Sequence, residues 1–117
     1  MNQYFSKIYS KSGKYKNKKT EYNGFLFDSK KEADYCCILD LLQKAIKDSD
    51  RVISYEKQVP FQIILNDKKI CKYYADFKVV YGDGRIEIID VKGFKTDIYR
   101  LKKKLVEAQY GINIIEI

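Results

Sequence analysis

The sequence predicts one mixed α/β domain, of the α+β type, whose elements follow the order α-β-β-β-α-β around a mixed sheet. Three observations predict it: a helix-capping pattern followed by apolar residues at helical spacing, three apolar runs separated by turn residues, and a final helix–strand pair. The length of 117 residues suits a single domain. We expect a flexible basic arm over residues 1–21 and a folded domain over residues 22–117.

The first helix is predicted from about residue 29 to residue 47. Ser29-Lys30-Lys31-Glu32 has the S-x-x-E pattern of a capping box, in which the serine and the glutamate satisfy free amides of the first turn. Asp48-Ser49-Asp50 is predicted to end the helix. The apolar residues at helical spacing form the predicted buried stripe: Ala33, Cys37, Ile38, Leu41, Leu42, Ala45 and Ile46.

Three strands are predicted next, over residues 52–65, 70–81 and 85–92. Pro60, the single proline, has no amide to donate to a sheet and therefore favours an edge position or a bulge for the first strand. The two connections carry turn residues and predict tight hairpins: Asn66-Asp67 and Gly82-Asp83-Gly84.

The second helix is predicted to begin at a Thr96 or Asp97 cap and to run to about Gln109, with Gly111 as its C-cap. A last strand over residues 112–117 follows. A strand–helix–strand unit favours a parallel pair with a right-handed crossover. The predicted apolar side of the helix comprises Ile98, Leu101, Leu105, Val106 and Ala108.

The charge of +7 is concentrated in two segments. Residues 1–20 contain six lysines and no acid, and residues 92–104 contain six basic residues against Asp97. Such clusters suit a polyanion, although the tail alone would equally suit a solubilising arm. The predicted phosphate contacts are Lys95, Thr96, Arg100, Lys103 and Lys104 in the domain, and Lys14, Lys16, Lys18 and Lys19 in the arm.

The composition excludes several classes of protein. The absence of histidine excludes histidine-dependent triads, histidine-ligated nucleases and zinc proteases. Three cysteines, two of them adjacent and none in a C-x-x-C pattern, argue against a disulfide framework or a zinc cluster. No apolar stretch is long enough to span a membrane, and the N-terminus lacks the apolar core of a signal peptide. We therefore expect a cytoplasmic protein, in the host cytoplasm if a phage encodes it.

Asp76, Asp90 and Lys92 form the most informative pattern. Side chains alternate along a strand, so Asp90 and Lys92 share a face, and hairpin pairing brings Asp76 towards them. Two carboxylates and a lysine can hold Mg²⁺ beside an activated water, with Mn²⁺ as a substitute. We predict Asp76, Asp90 and the Val91 carbonyl as metal ligands and Lys92 as the residue that activates water. Alone, D-x-K would indicate an ordinary ion pair on an exposed strand face.

Two further residues are weighed beside this set. Glu32 has a local role as the third residue of a capping box, and it could also reach the site as a further metal ligand. Gln58 could face the site from the neighbouring strand as an accessory residue, although an exposed strand face is the usual place for a glutamine.

At these residues the chain resembles the PD-(D/E)xK nuclease superfamily. More narrowly, it is similar to a family of small phage-borne endonucleases related to Holliday junction resolvases. The resemblance implies a restriction-endonuclease-like α-β-β-β-α-β core with Glu32, Asp76, Asp90 and Lys92 as catalytic residues. Ala75 replaces the proline of the superfamily's name. The motifs that carry the resemblance are F-D-S-K-K-E-A at 27–33, Q-V-P-F at 58–61, A-D-F at 75–77 and D-V-K-G-F-K-T at 90–96.

The leading hypothesis is therefore a Mg²⁺-dependent DNA endonuclease that acts on branched DNA in phage recombination or replication. Resolvases of this superfamily cut two opposed strands with two sites, so we expect a homodimer. One alternative is a non-catalytic nucleic-acid-binding module that retains the nuclease fold. Another is a nuclease subunit of a restriction or transposition complex.

Overall fold

The structure is a computed structural model, and it describes residues 19–117. The predicted arm overlaps the folded part by two residues, because Thr20 and Glu21 belong to a short hairpin; residues 1–18 lie outside the described residues. In chain order the elements are β1 Thr20–Tyr22, β2 Phe25–Phe27, α1 Lys30–Leu42, β3 Val52–Leu65, β4 Lys68–Tyr81, β5 Ile86–Asp90, α2 Asp97–Tyr110 and β6 Ile114–Glu116.

The main sheet has four strands in the order β3-β4-β5-β6. The first two pairings are antiparallel, and β5 pairs with β6 in parallel after the α2 crossover, as predicted. Pro60 lies in β3, which is an edge strand, and this prediction is also confirmed. The mixed α+β fold and the α-β-β-β-α-β order follow the expectation, with the small β1–β2 hairpin added before α1.

Local signals explain the turns and caps. Asn66 and Asp67 both adopt positive φ between β3 and β4, as a tight primed hairpin turn requires. Ser29 Oγ accepts from the Glu32 amide at 3.1 Å, which caps α1. The Thr96 hydroxyl accepts from the Tyr99 amide at 3.0 Å and caps α2, while Gly111 ends that helix in the left-handed region.

The predicted stripe of the first helix was too long, and its face was only partly right: Ala33 is buried and Ile38 and Leu42 pack against the core. The helix ends at Leu42 instead of about residue 47. Beyond it, backbone hydrogen bonds between residues three apart turn the chain towards β3, and the side chains after Leu42 have no helix or strand to cover them. Leu41 and Ile46 are 66% and 96% exposed. The buried positions follow the spacing i, i+3, i+4, i+7 and are Glu32, Tyr35, Cys36 and Leu39, with Ala33 beside them.

The predicted apolar side of α2 was also partly wrong. Ile98 and Leu101 are exposed, whereas Tyr99 and Val106 are buried. Tyr99 packs on the sheet with its ring and keeps its hydroxyl for a polar partner, a combination that a count of aliphatic residues overlooks.

Two core clusters meet along β4. Phe77, Val79 and Tyr81 pack with α1, whereas Tyr73 and Ala75 pack with α2. The covering helix therefore changes at Asp76, the residue between these two groups. All three cysteines are free, and no helix in the described part of the chain has the length and apolar character needed to cross a membrane.

Candidate active site

The site lies at the point where β4 and β5 separate. Their last paired residues on this side are Phe77 and Ile89. Beyond that pair, the backbone amides donate to aspartate side chains instead of to backbone carbonyls. The Asp76 amide donates to Asp90 Oδ1 at 3.2 Å, and the Val91 amide donates to Asp76 Oδ2 at 2.8 Å. The structure thus brings Asp76 and Asp90 together, and each aspartate has a structural role in bridging the fork.

Asp90 is fully buried, and its Oδ2 has no hydrogen-bond partner among the described residues. The nearby Tyr99 hydroxyl donates its proton to Glu116 Oε2 at 2.7 Å. Burial raises the pKa of Asp90, and the positive charge of Lys92 opposes that rise. A buried carboxylate oxygen without a partner is rare in folded proteins, because it loses its hydration without compensation. Such an oxygen can accept a cation or a proton.

Glu32 reaches the same place from the first turn of α1. It is only 6% exposed, and its carboxyl group contacts that of Asp76. Burial, followed by the charge of Asp76 and the hydrogen bond with it, raises the pKa of Glu32 to about 8. Of the two roles considered for its side chain, the carboxylate therefore takes the one in the site, while the backbone amide of Glu32 takes part in the Ser29 cap.

Lys92 supplies the positive charge of the cluster. Its side chain is half-buried, and Nζ lies 4.7 Å from the centre of the Tyr99 ring. Its charge acts on both Glu32 and Asp90 and lowers the pKa of each carboxyl group against the effect of burial. The tyrosine ring holds the ammonium group beside the acids without neutralising it.

Gln58 completes the polar contacts of Asp76. Its side-chain amide donates to Asp76 Oδ1 at 3.3 Å, in agreement with the predicted accessory position. Its φ of 52° is unusual for a non-glycine residue inside a strand, and it breaks the alternation of side chains. Lys57 and Gln58 are consecutive, yet both line the same cleft.

The backbone at Gln58 gives a test by substitution. An alanine at this position keeps the strained φ, whereas a glycine relieves it, so we expect Gln58→Gly to be more stable than Gln58→Ala by ~1 kcal/mol. At Glu56, an exposed position of the same strand with ordinary φ, the order of the two substitutions should reverse. Urea unfolding of the four variants measures both differences. Equal stabilities at position 58 would contradict the strain.

The cleft beside the acids has a volume of about 350 Å³. The hairpin forms one wall, β3 and β4 form another, and the first turn of α1 closes one end. Its lining residues are Phe25, Leu26, Phe27, Asp28, Glu32, Lys57, Gln58, Asp76 and Phe77. This volume is in the range that holds a small ligand or one part of a larger one.

The start of α1 also lies near the loop that leads into α2. Desolvation, followed by the charge of Lys95, lowers the pKa of Lys31, which places these two lysines within electrostatic range of each other. Lys57 lines the cleft with Glu32 and Asp76, and the charge of Lys92 acts on Glu32 and Asp90, so these two lysines form a positive rim beside the acids. Such a rim suits a phosphate backbone.

Several predicted phosphate contacts take part in ion pairs. Lys95 and Lys103 both approach Glu116, at 3.3 and 3.9 Å, and Arg100 approaches Asp97 at 3.6 Å. The Thr96 side chain serves as the α2 cap. The Arg100–Asp97 pair is exposed, and such pairs are weak, so Arg100 remains able to exchange partners. Lys104 is exposed, Lys19 pairs with Asp28 at 3.7 Å, and Lys14, Lys16 and Lys18 lie outside the described residues.

The acids form a row in which Glu32 contacts Asp76 and Asp76 contacts Asp90. No three acidic, histidine or cysteine side chains within residues 19–117 converge in a ready-made metal cage. Both oxygens of Asp76 accept hydrogen bonds, although the bond from Gln58 is long. The Val91 amide contacts Asp76, and the role of the Val91 carbonyl as a metal ligand stays a prediction. The free Asp90 oxygen and the crowding of negative charge nonetheless suit a divalent cation.

Sequence reasoning missed three residues of this region: Phe25, Lys31 and Lys57. Lys31 adjoins Glu32 in the capping pattern, so it offered a signal. Phe25 and Lys57 offered none, because their meeting depends on the folding of the hairpin against β3.

Comparison with known protein families identifies the family of this chain. Residues 12–114 match the model of a family described as "Protein of unknown function (DUF1064)", and the chain belongs to that family. No curated protein and no solved structure matches the chain.

Proposed function

We propose that this member of the DUF1064 family is a metal-dependent nuclease that hydrolyses phosphodiester bonds in DNA. The observation that supports it most is the buried, unpartnered Oδ2 of Asp90 beside Asp76, Glu32 and Lys92. A buried row of acids with a positive rim is poorly explained by stability alone, because the buried carboxylates repel one another and lose their hydration. It suits a site that takes up a cation and a phosphate.

The residues that would hold Mg²⁺ or Mn²⁺ are Asp90, Asp76 and Glu32, with the Val91 carbonyl as a further predicted ligand. When bound, such an ion supplies a water of lowered pKa and balances the charge that develops on the phosphate. The donor set fits, since Mg²⁺ prefers carboxylate and carbonyl oxygens, and Asp90 Oδ2 has a free site to offer.

The chain's own groups have defined parts in the reaction. Lys92 stabilises negative charge on the phosphate and orients the attacking water, because its ammonium is held against Tyr99 and faces the acids. Glu32, whose pKa is raised to about 8, can exchange a proton with the site near neutral pH. Gln58 holds the Asp76 carboxylate in place. Water attacks phosphorus, the bond to the leaving oxygen breaks, and that oxygen receives a proton.

The proposed nuclease also has an expected substrate and an expected oligomeric state. We propose branched DNA as the substrate, as in phage recombination or replication, with a homodimer that places two such sites on opposed strands. The protein would act in the cytoplasm, which would be that of the host if a phage encodes it. The basic residues of the rim, of α2 and of the arm would bind the backbone in a salt-dependent manner.

The direct test is cleavage of labelled four-way junction, flap, duplex and single-stranded DNA, and of matching RNA, with Mg²⁺, with Mn²⁺ and with chelator. We expect DNA products only with a divalent cation. Lys92→Met should lower the single-turnover rate by about 10²-fold or more. Lys47→Met, at an exposed residue away from the site, is the matched control and should cleave as the parent chain does.

A second function, a non-catalytic nucleic-acid-binding module, is favoured by the absence of a ready-made metal cage within residues 19–117. It predicts salt-sensitive binding without product in any divalent cation. Such a result would reject the nuclease proposal, and cleavage of RNA alone would reject its DNA substrate.

A further inference from the structure

The β1–β2 hairpin presents an apolar wall to the cleft that the catalytic proposal does not use. Phe25 and Leu26 are 53% and 67% exposed, although both line the cleft that contains Glu32 and Asp76. Two exposed apolar side chains that line one cleft together with buried acids suit a ligand that has both an apolar face and a charge.

The hairpin is held firmly in place. Phe27 is buried in the core cluster under α1, and the Tyr22 hydroxyl donates to Asp40 Oδ2 on that helix at 2.7 Å. The Tyr55 hydroxyl of β3 donates to the other oxygen of the same carboxylate. Because hairpin, helix and sheet share this aspartate, Phe25 is presented from a fixed support.

Lys57 adds charge to this wall. Its Nζ lies 2.9 Å from the centre of the Phe25 ring and 5.5 Å from that of Phe27. One face of Phe25 is therefore covered by a cation while the side chain keeps half of its surface exposed. An aromatic face with a cation next to it matches the two parts of a nucleotide, a flat base and a phosphate.

We infer that this cleft is a stacking subsite for one unpaired nucleobase, with Phe25 as the stacking surface and Lys57 as the contact of an adjoining phosphate. This inference rests on the proposed nuclease function and names its substrate class: DNA with an unpaired nucleotide next to the bond that is cut. Bases inside a duplex have both faces covered by neighbours, so they cannot occupy the subsite without leaving the stack. Phe25 has no hydrogen-bonding group, so the subsite takes any base.

The test uses the full chain carrying Asp90→Asn, which is expected to bind without cutting. 2-Aminopurine is placed at successive positions of the unpaired strand of a flap, and its fluorescence is read on binding. We expect strong quenching at one or two adjacent positions next to the cleavage site of the parent chain. Adding Phe25→Leu should remove that quenching and weaken flap binding by roughly tenfold, while duplex binding stays the same.

Leu41→Ala is the control, because Leu41 is a similarly exposed apolar residue that does not line the cleft. Lys57→Ala should weaken flap binding and reduce its salt dependence without moving the position of quenching. In the active chain, Phe25→Leu should reduce the preference for flap over duplex.

The outcomes separate the two proposals. Position-specific quenching that depends on Phe25, without cleavage by the parent chain, would keep the subsite and reject the nuclease. Cleavage by the parent chain with quenching that is uniform along the strand, or unaffected by Phe25→Leu, would reject the subsite alone. A dimer that dissociates on Phe25→Leu, with no change in quenching, would also reject the subsite and assign the hairpin to a second copy of the chain.

Discussion

Asp90→Asn is expected to abolish cleavage and, in the same protein, to raise the stability of the metal-free chain. We expect the single-turnover rate with Mg²⁺ to fall by on the order of 10³-fold, because the substitution removes a charge from the proposed cation site. We expect the free energy of unfolding to rise by ~1 kcal/mol, because a buried charge with an unpartnered oxygen is removed.

The shape of asparagine makes this a clean substitution. Its side-chain oxygen can still accept from the Asp76 amide, as Oδ1 does at 3.2 Å. Its amide nitrogen would stand beside the Tyr99 hydroxyl, whose own proton goes to Glu116 and whose oxygen can still accept. The two readouts are quantitative cleavage and urea unfolding in chelator.

Glu87→Gln is the matched control, because Glu87 is a buried carboxylate of the same strand whose partners are satisfied. It accepts from the Tyr81 hydroxyl at 3.1 Å and pairs with Arg85 at 3.5 Å. Neutralising it should leave cleavage unchanged and lower stability by about 1 kcal/mol. If Asp90→Asn destabilised the chain as Glu87→Gln does and cleavage persisted, Asp90 would be a structural residue only.

Asp76, Asp90 and Glu87 show which features of the site can be predicted from the sequence and which cannot. Strand parity and a hairpin turn were enough to bring Asp76 and Asp90 together, because both rules act over a few residues. By the same alternation Glu87, three residues before Asp90, belongs to the opposite face of the strand. Alternation could not show that Asp90 keeps an unpartnered oxygen, since that depends on how Tyr99 and Glu116 pair across β6.

The first helix shows how a functional residue misleads a hydrophobic count. Glu32 occupies a position of the buried stripe, one turn before Cys36 and two before Leu39. An apolar pattern does not include a glutamate, so the predicted stripe lay partly on a neighbouring face and the predicted helix extended past Leu42. The cap was predicted correctly because Ser29 and Glu32 are close in sequence. The face that α1 buries depends on its packing against the sheet, where Glu32 contacts Asp76.

The cleft depends on features that no local pattern carries. The positive φ of Gln58 turns two consecutive residues of β3 towards one side. Glutamine rarely adopts positive φ, so the sequence does not predict this conformation. Lys57 then meets Phe25 of a hairpin more than 30 residues away along the chain. The basic residues Arg100 and Lys103 of α2 were predicted as phosphate contacts from composition, and their ion pairs with Asp97 and Glu116 became apparent only in the fold.

The buried acids also predict an unusual dependence of stability on pH. A carboxyl group whose pKa is raised from 4.5 to about 8 on folding binds its proton more tightly in the folded chain. Its contribution is therefore favourable below the unfolded pKa and is lost as the pH rises from about 4.5 to about 8. Carboxylates that are ion-paired in the folded chain behave in the opposite way, so the effect of Glu32 is isolated by comparison with a variant.

We expect Glu32→Gln to be more stable than the parent chain by on the order of 2 kcal/mol at pH 8.5 in chelator, and the difference to shrink towards pH 4.5. Glutamine also suits the third position of a capping box, so the cap from Ser29 is retained. Glu56→Gln, at an exposed carboxylate of β3, is the control and should show no such gain.

Divalent cation should reverse this difference if the acids form the proposed site. Mg²⁺ binds the folded chain only, so it should raise the melting temperature of the parent chain most at alkaline pH, where Glu32 is ionised. Glu32→Gln should gain less from Mg²⁺, and Asp90→Asn should gain least, because it lacks the carboxylate with the free oxygen. Equal gains in all three chains would place cation binding elsewhere and would separate the acid cluster from the chemistry proposed for it.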